Sequence, residues 1–209
     1  RERKRDIVNS FRGGSEKRLA DAAVTVLMGN ASFVDSKTVK VIMNDDGSEK
    51  LVTADKIFIN VGERPAPPSL PGVETLDPSL VLDSTSIQEL DVVPEHLVVE
   101  FAQYMRRLGA KVSIVQRGKQ LLPREDEDVA ECLRDILAEH GITINLSSST
   151  TSIAASRTGP GFTLSLRTQS GALEVQGSHI LFAAGRIPNT DSLNLPNAGV
   201  AMNERGYIV

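Results

Sequence analysis

Two segments of this chain repeat one pattern, Ile57-Phe58-Ile59-Asn60-Val61-Gly62-Glu63-Arg64-Pro65 and Ile180-Leu181-Phe182-Ala183-Ala184-Gly185-Arg186-Ile187-Pro188. Each is a short apolar run, two small or medium residues, a glycine, two variable residues and a proline. The run suits a parallel strand buried on both faces. Glycine lets backbone come close to a ligand, and proline fixes the exit. Ligands of open α/β sheets sit at such strand ends, so the pattern fits nucleotide binding. It describes either two related nucleotide-binding domains or two unrelated buried strands that end in turns. A second feature is the run Gln116-Arg117 with Lys119 and Arg124 close behind. Cations just past a strand suit a phosphate, or are ordinary surface bases. The single Cys132 cannot form an internal disulfide, and its place on a helical apolar face predicts core packing. His96, His140 and His179 stand apart from one another and are expected to be incidental.

The elements that hold these residues follow from periodicity. Ile7, Val8 and Phe11 predict a helix ended by Gly13-Gly14, and Ser15 predicts the cap of a second short helix through Leu19 and Ala23. Val24–Met28 predicts a strand, and Thr38–Met43 alternates before Asn44-Asp45-Asp46-Gly47, a hairpin signal. Residues 65–83, rich in proline, read as an extended connector. Strand then alternates with helix: His96–Val99, a helix with Phe101, Tyr104, Met105 and Leu108 on one face, and Lys111–Val115. A helix with Val129, Cys132, Leu133, Ile136 and Leu137 on one face and the strand Ile142–Leu146 complete the series. That order implies a parallel sheet with right-handed crossovers. Short strands are expected near 150–155, 162–167 and 172–175.

Composition narrows the classes. The net charge of −4 gives no reason to expect nucleic acid or an anionic membrane as partner. The basic opening Arg1-Glu2-Arg3-Lys4-Arg5 is short and interrupted, as on a solvated helix face. No apolar stretch approaches the length of about 20 residues that spans a bilayer. A cytoplasmic setting is expected, and the absence of an initiator Met suggests a fragment.

With these residues in hand, the chain resembles the pyridine nucleotide-disulfide oxidoreductases, and its mercuric-reductase-like branch in particular. The resemblance rests on Ala54-Asp55-Lys56-Ile57 through Pro65, on Leu121-Leu122-Pro123-Arg124-Glu125-Asp126, and on Ala184-Gly185-Arg186-Ile187-Pro188-Asn189-Thr190. It implies an α/β fold of FAD/NAD(P)-binding, Rossmann-like domains in three β-β-α layers, with the FAD domain incomplete. The implied organisation is a partial FAD-binding domain at 1–90, an NAD(P)-binding domain at 91–187 and a return segment at 188–209. The implied cofactors are FAD and NADP (or NAD), and the implied reaction passes electrons from NAD(P)H through flavin to a disulfide, metal ion or similar acceptor. Family members form homodimers through a C-terminal domain that is not seen in this sequence.

Residue by residue, the resemblance places Ala31 beside the FAD adenine through its backbone and closes Gly62 over the flavin nucleotide. Val61 stands where many relatives have Thr. Gly185, with Arg186 beside it, is implied at the pyridine nucleotide. Glu100 matches a family Glu that pairs with a Lys near the flavin. Gln116-Arg117 stands where an acid would accept the ribose hydroxyls of NAD, with Lys119 and Arg124 nearby, so the expected preference is NADPH.

The chain departs from the family in three ways. The family's FAD phosphate loop and cysteine pair are not seen in these 209 residues, nor is the catalytic His of its C-terminal domain. The third departure is internal: Leu97-Val98-Val99 runs directly into Glu100-Phe101-Ala102, where the family has a Gly-rich turn. That turn brings backbone amides to a pyrophosphate. Without it, either the strand is expected to end near Leu97 or the helix to begin near Ala102, and nicotinamide nucleotides are expected to bind weakly. The chain alone is expected to be inactive. The alternatives are a non-enzymatic truncated remnant and a nucleotide- or partner-binding α/β module.

Overall fold

A computed structural model describes residues 2–98, 102–157, 159–183 and 185–209. The chain opens with helix α1 (Glu2–Asp21), followed by strands β1 (Gly29–Phe33), β2 (Thr38–Met43), β3 (Glu49–Thr53) and β4 (Glu63–Pro65). Next come β5 (Val81–Leu82), β6 (His96–Val98), α2 (Ala102–Arg107), β7 (Lys111–Val115), α3 (Glu127–Glu139) and β8 (Ile142–Asn145). Strands β9 (Ser149–Ala155), β10 (Phe162–Thr168), β11 (Gly171–Gly177), β12 (His179–Leu181) and β13 (Arg186–Pro188) complete the series. The chain divides into two compact units, Arg1–Arg64 with Arg186–Val209, and Pro65–Gly185.

The first unit is built on the antiparallel sheet β1-β2-β3. The expected hairpin forms: Gly47 takes a φ of 69°, and Asp46 Oδ1 accepts the Ser48 N–H at 2.8 Å. Phe33, Leu193 and Leu195 make the core, with Val39, Ile57 and Ile59 packed on it. The segment after β13 is tied to the end of β1, because Phe33 N–H donates to the Leu193 carbonyl at 2.8 Å.

Three expectations for this unit are corrected. The two short helices are one, α1, which runs through Gly13-Gly14 and buries no side chain. Each glycine costs about 1 kcal/mol against Ala in a helix interior, and the Arg, Lys, Glu and Leu around them are strong enough helix formers to carry the turn through. Ser15 makes no cap there; its hydroxyl accepts from Arg18 one turn on. Neither Val24–Met28 nor Ile57–Ile59 is a strand. A strand needs a neighbour to complete its ladder, and among the described residues no strand pairs with either run. Ile57–Ile59 is extended all the same. Ile57 and Ile59 face the core while Phe58 is 90% exposed, the alternation of a strand without its partner.

The second unit has the expected parallel sheet, in the order β5-β12-β6-β7-β8. Adjacent residues point to opposite faces. Leu97 and Leu181 join a cluster with Ala102 and Met105 of α2 and Leu137 of α3. Their neighbours Val98 and Ile180 join Ile153, Phe162, Leu164 and Leu166 of β9 and β10. Strands β9, β10 and β11 form an antiparallel sheet, with β10 in the middle. The unit is therefore three layers, sheet on sheet on helices, as the resemblance implied.

Both helical faces in this unit are rotated from those expected. In α2 the buried residues are Ala102 and Met105, while Tyr104 is 62% exposed and Leu108 is exposed too. In α3 the buried residues are Ala130 and Leu137, with Leu133 half-buried. Val129, Cys132 and Ile136 lie outside the contact and line a surface hollow of about 360 Å³ with Asp128 and Leu133. Cys132 is thus exposed and not a core residue. The apolar stripe on α3 is wider than the strip the sheet covers, and periodicity does not say which edge of it is buried. Val99, Glu100 and Phe101 lie outside the described residues, and with them the join of strand to helix; β6 is described to Val98 and α2 from Ala102.

Candidate functional site: two Gly-x-x-Pro corners

The repeated pattern appears in the structure as two corners. Strands β4 and β13, which follow the two glycines, pair as a two-stranded sheet. Asn189 N–H donates to the Gly62 carbonyl at 3.0 Å, and Ala66 N–H donates to the Gly185 carbonyl at 3.0 Å. Asn189 and Ala66 hold the same place in the two copies, the residue just after the proline. Each copy thus caps the glycine of the other.

Both glycines need to be glycine. Gly62 has a φ of 64° and Gly185 a φ of 133°, and neither has an atom within 4 Å of the point where a Cβ would stand. Space is open beside each, so backbone strain and not crowding excludes other residues.

Around Gly62 the side chains add a second set of bonds. Asn189 Nδ2 donates to the Val61 carbonyl at 2.9 Å. Arg64 Nη1 donates to Asn189 Oδ1 at 3.0 Å and to the Pro188 carbonyl at 3.2 Å. Its guanidinium also forks onto Asp191, with Nη2 2.6 Å from Oδ2 and Nη1 3.2 Å from Oδ1. Hydrogen bonding from Arg64 holds the Asp191 carboxyl below its ordinary range. Around β13 the bonds are fewer. Arg186 Nη2 donates to the Glu63 carbonyl at 2.6 Å, and its Nε stands 3.3 Å from Glu63 Oε2. Tyr207 donates its hydroxyl to Glu63 Oε1 at 2.6 Å, and this bond raises the phenol above its ordinary pKa.

The remaining predicted positions are less elaborate. Ala31 is half-buried in β1, opposite Val41. Two residues earlier, a Cβ on Gly29 would clash with the Ile42 carbonyl oxygen, so the backbone there runs too close for a side chain. Arg117 and Arg124 are exposed beyond the C-terminal end of β7. Lys119 is paired with Glu127 at 3.3 Å, whereas among the described residues no salt bridge joins either arginine to an acid. Glu100 lies outside the described residues.

A sequence model of the family described as "Pyridine nucleotide-disulphide oxidoreductase" matches residues 1–209. This chain belongs to the pyridine nucleotide-disulphide oxidoreductase family. It is 34% identical to the probable pyridine nucleotide-disulfide oxidoreductase RclA of Escherichia coli K12, over 100% of this chain and 47% of that protein. It is 33% identical to a mercuric reductase of Streptomyces lividans, over 88% of this chain and 39% of the relative. The solved structure of the HOCl-induced flavoprotein disulfide reductase RclA from Escherichia coli superposes with a TM-score of 0.85 at 32% identity, covering 100% of this chain and 47% of that one. The chain therefore spans less than half the length of these relatives.

Within this family member the histidines do not converge. His96 and His179 open β6 and β12, at the N-terminal edge of the parallel sheet, opposite the edge where ligands of such sheets bind. His96 Nε2 is 2.8 Å from Ser113 Oγ, and desolvation followed by the Lys111 charge lowers its pKa. His140 ends α3 on the surface. Among the described residues no cluster of His, Cys, Asp and Glu could hold a metal ion, and no helix is long and apolar enough to cross a membrane. Sequence reasoning missed Arg64, Asn189, Asp191 and Tyr207. The signal for Asn189 was present in the repeat, since its counterpart Ala66 has no side chain able to bond.

Proposed function

We propose that this chain carries the nucleotide-binding part of an FAD-dependent NAD(P)H oxidoreductase, which passes electrons to a disulfide, metal ion or similar acceptor. The observation that carries the flavin half is the Gly62 corner. There the backbone turns through a positive φ, the space beside the glycine is open, and the carbonyls of Val61 and Gly62 are both drawn onto Asn189. The backbone there is open to close approach by a ligand, because no atom lies within 4 Å of where a Gly62 side chain would begin. Bound flavin would supply the two-electron chemistry. The chain's own part is to hold the group: Gly62 by close backbone approach, and Ala31 through the backbone of β1. The domain roles proposed are FAD at 1–90 with the return at 188–209, and the nicotinamide nucleotide at 91–187.

The nicotinamide half is supported by Arg117 and Arg124, exposed cations suited to a 2′-phosphate, which favour NADPH over NADH. Gly185 and Arg186 are the further candidates. The sequence between Leu97 and Ala102 lacks the Gly-rich turn that brings backbone amides to a pyrophosphate. No glycine stands between Leu97 and Ala102. Binding of either nicotinamide nucleotide is expected to be weak. This junction also favours a second reading, a remnant that folds but does not turn over.

An absorption spectrum of the purified protein separates the readings. A flavin band near one equivalent supports the oxidoreductase, and a colourless protein supports the remnant. These 209 residues hold one cysteine, so by themselves they cannot form an internal redox disulfide. Turnover of a disulfide or mercuric ion with NADPH by this span alone, at about 1 per second or faster, would contradict that expectation.

A further inference from the structure

We infer that Asn189 is a positioning residue for the flavin-side turn at Gly62, and that Arg64 sets the orientation of its amide. The inference rests on the reading that FAD lies against Gly62. Asn189 binds two successive carbonyls of that turn, Gly62 through its backbone N–H at 3.0 Å and Val61 through Nδ2 at 2.9 Å. In a planar trans peptide the carbonyl and the following N–H point in opposite directions, and among the described residues there is no cis peptide. With both carbonyls drawn to Asn189, the N–H groups of Gly62 and Glu63 are directed to the other side. Asn189 therefore decides which side of the turn offers donors, and a nucleotide lying against that side meets N–H groups instead of carbonyl oxygens.

An asparagine amide can satisfy this geometry in only one of its two orientations. Rotated by half a turn, it would set its oxygen against the Val61 oxygen. Arg64 removes the ambiguity: it is donor-only and lies 3.0 Å from Oδ1, so the oxygen must face Arg64 and the NH₂ must face Val61. Arg64 is held in turn by the forked bond to Asp191. The chain of control runs from Asp191 to Arg64, to the Asn189 amide, and to the Val61–Gly62 peptide. None of these side chains has to touch the cofactor. Their effect is on the direction in which backbone donors point, and it reaches a ligand only through the turn.

The test uses the protein at its native length, titrated with FAD after the cofactor has been stripped. Asn189→Asp keeps an acceptor toward Arg64 but puts an oxygen against the Val61 oxygen. FAD affinity should fall about tenfold or more, with a changed visible flavin spectrum. Arg64→Gln keeps Asn189 but frees its amide to rotate, and the fall should be smaller, about threefold. Asn189→Ser, a shorter donor, should recover part of the loss seen in Asn189→Asp. A purely structural role would lower the unfolding midpoint of the stripped protein in all three variants and leave the affinity and spectrum of the folded fraction unchanged. That result, or equal FAD affinity in wild type and Asn189→Asp, overturns the inference while leaving flavin binding intact. If the wild type itself binds no FAD, the flavin reading fails first and takes the inference with it. Should Asn189→Asp not fold, Arg64→Gln alone decides by the same two readouts.

Discussion

The Gly62 and Gly185 corners share a frame and differ in how it is fixed. Each has an apolar run, a glycine of positive φ, a proline, and a carbonyl capped by the backbone of the other copy. At Gly62 the capping residue is Asn189, and its side chain, with Arg64 and Asp191, adds further bonds around the turn. At Gly185 the capping residue is Ala66, which has only its backbone to offer. The comparison separates two jobs. The repeated residues build the corner, and the unrepeated ones choose how firmly and in which direction it is held. On the proposed reading the flavin lies at the firmly held corner. A prosthetic group that stays bound through many turnovers gains from a preorganised site, whereas a nucleotide that exchanges at each turnover needs a site that releases it.

Replacing the two glycines in turn should break the comparison most sharply. Gly62→Val forces a β-branched residue into the left-handed region and fills the open space with a side chain. The conformational cost of about 1–2 kcal/mol and the lost approach together should weaken FAD binding on the order of a hundredfold. Gly185→Val carries a similar backbone cost but should leave FAD affinity within about threefold of wild type. Equal losses from the two substitutions, measured by flavin titration, would show that the corners are not divided between two ligands.

How much of this was legible in the sequence depends on whether a feature is set by its own residues or by neighbours. The hairpin over Thr38–Thr53 was readable because Asn44-Asp45-Asp46-Gly47 dictates its own turn. The parallel sheet was readable because strands buried on both faces are apolar throughout, as Ile180-Leu181 shows by serving both core clusters. Ile57–Ile59 has the same composition and failed as a strand, since pairing belongs to the partner and not to the run. Cys132 failed for a related reason: a helix advertises its apolar stripe, but the sheet decides which edge is covered. The corners were found through their repeat. The side-chain bonds were not, because Arg64 and Asp191 are distant in sequence and each reads as an ordinary surface charge.

A test of intermediate size concerns the other ligand. In a variant with a Gly-rich turn inserted after Val99, Arg117→Glu should weaken NADPH binding about tenfold or more. The loss for NADH should be much smaller. Removing one charge-assisted bond to a 2′-phosphate costs roughly 1.5–3 kcal/mol, and the new carboxylate adds repulsion. NADH lacks that phosphate. Equal losses for the two nucleotides would remove Arg117 from the site, and an unaltered NADPH affinity would do the same.

The smallest expected effect distinguishes the two sets of side-chain bonds by pH. Asp191 is held below its ordinary pKa of 3.8, chiefly by the hydrogen bond from Arg64. A carboxyl lowered in the folded state contributes stability that is present above the unfolded pKa and lost as pH falls through the folded one. The Gly62 side should therefore loosen in acid, below about pH 4. Tyr207, bonded to Glu63, has its pKa raised above the ordinary 10.0. A group raised in the folded state contributes stability that is complete below the unfolded pKa and lost as pH rises through the folded one. The Arg186–Glu63–Tyr207 set should therefore loosen in alkali, above about pH 10. Both groups are exposed, so each change should be modest and reduced by salt. The measurement is the unfolding midpoint of the flavin-free protein against pH. Asp191→Asn should flatten the acid limb and leave the alkaline limb as it was, and Tyr207→Phe should do the reverse. If either substitution flattens both limbs, the two sets of bonds are one cooperative network.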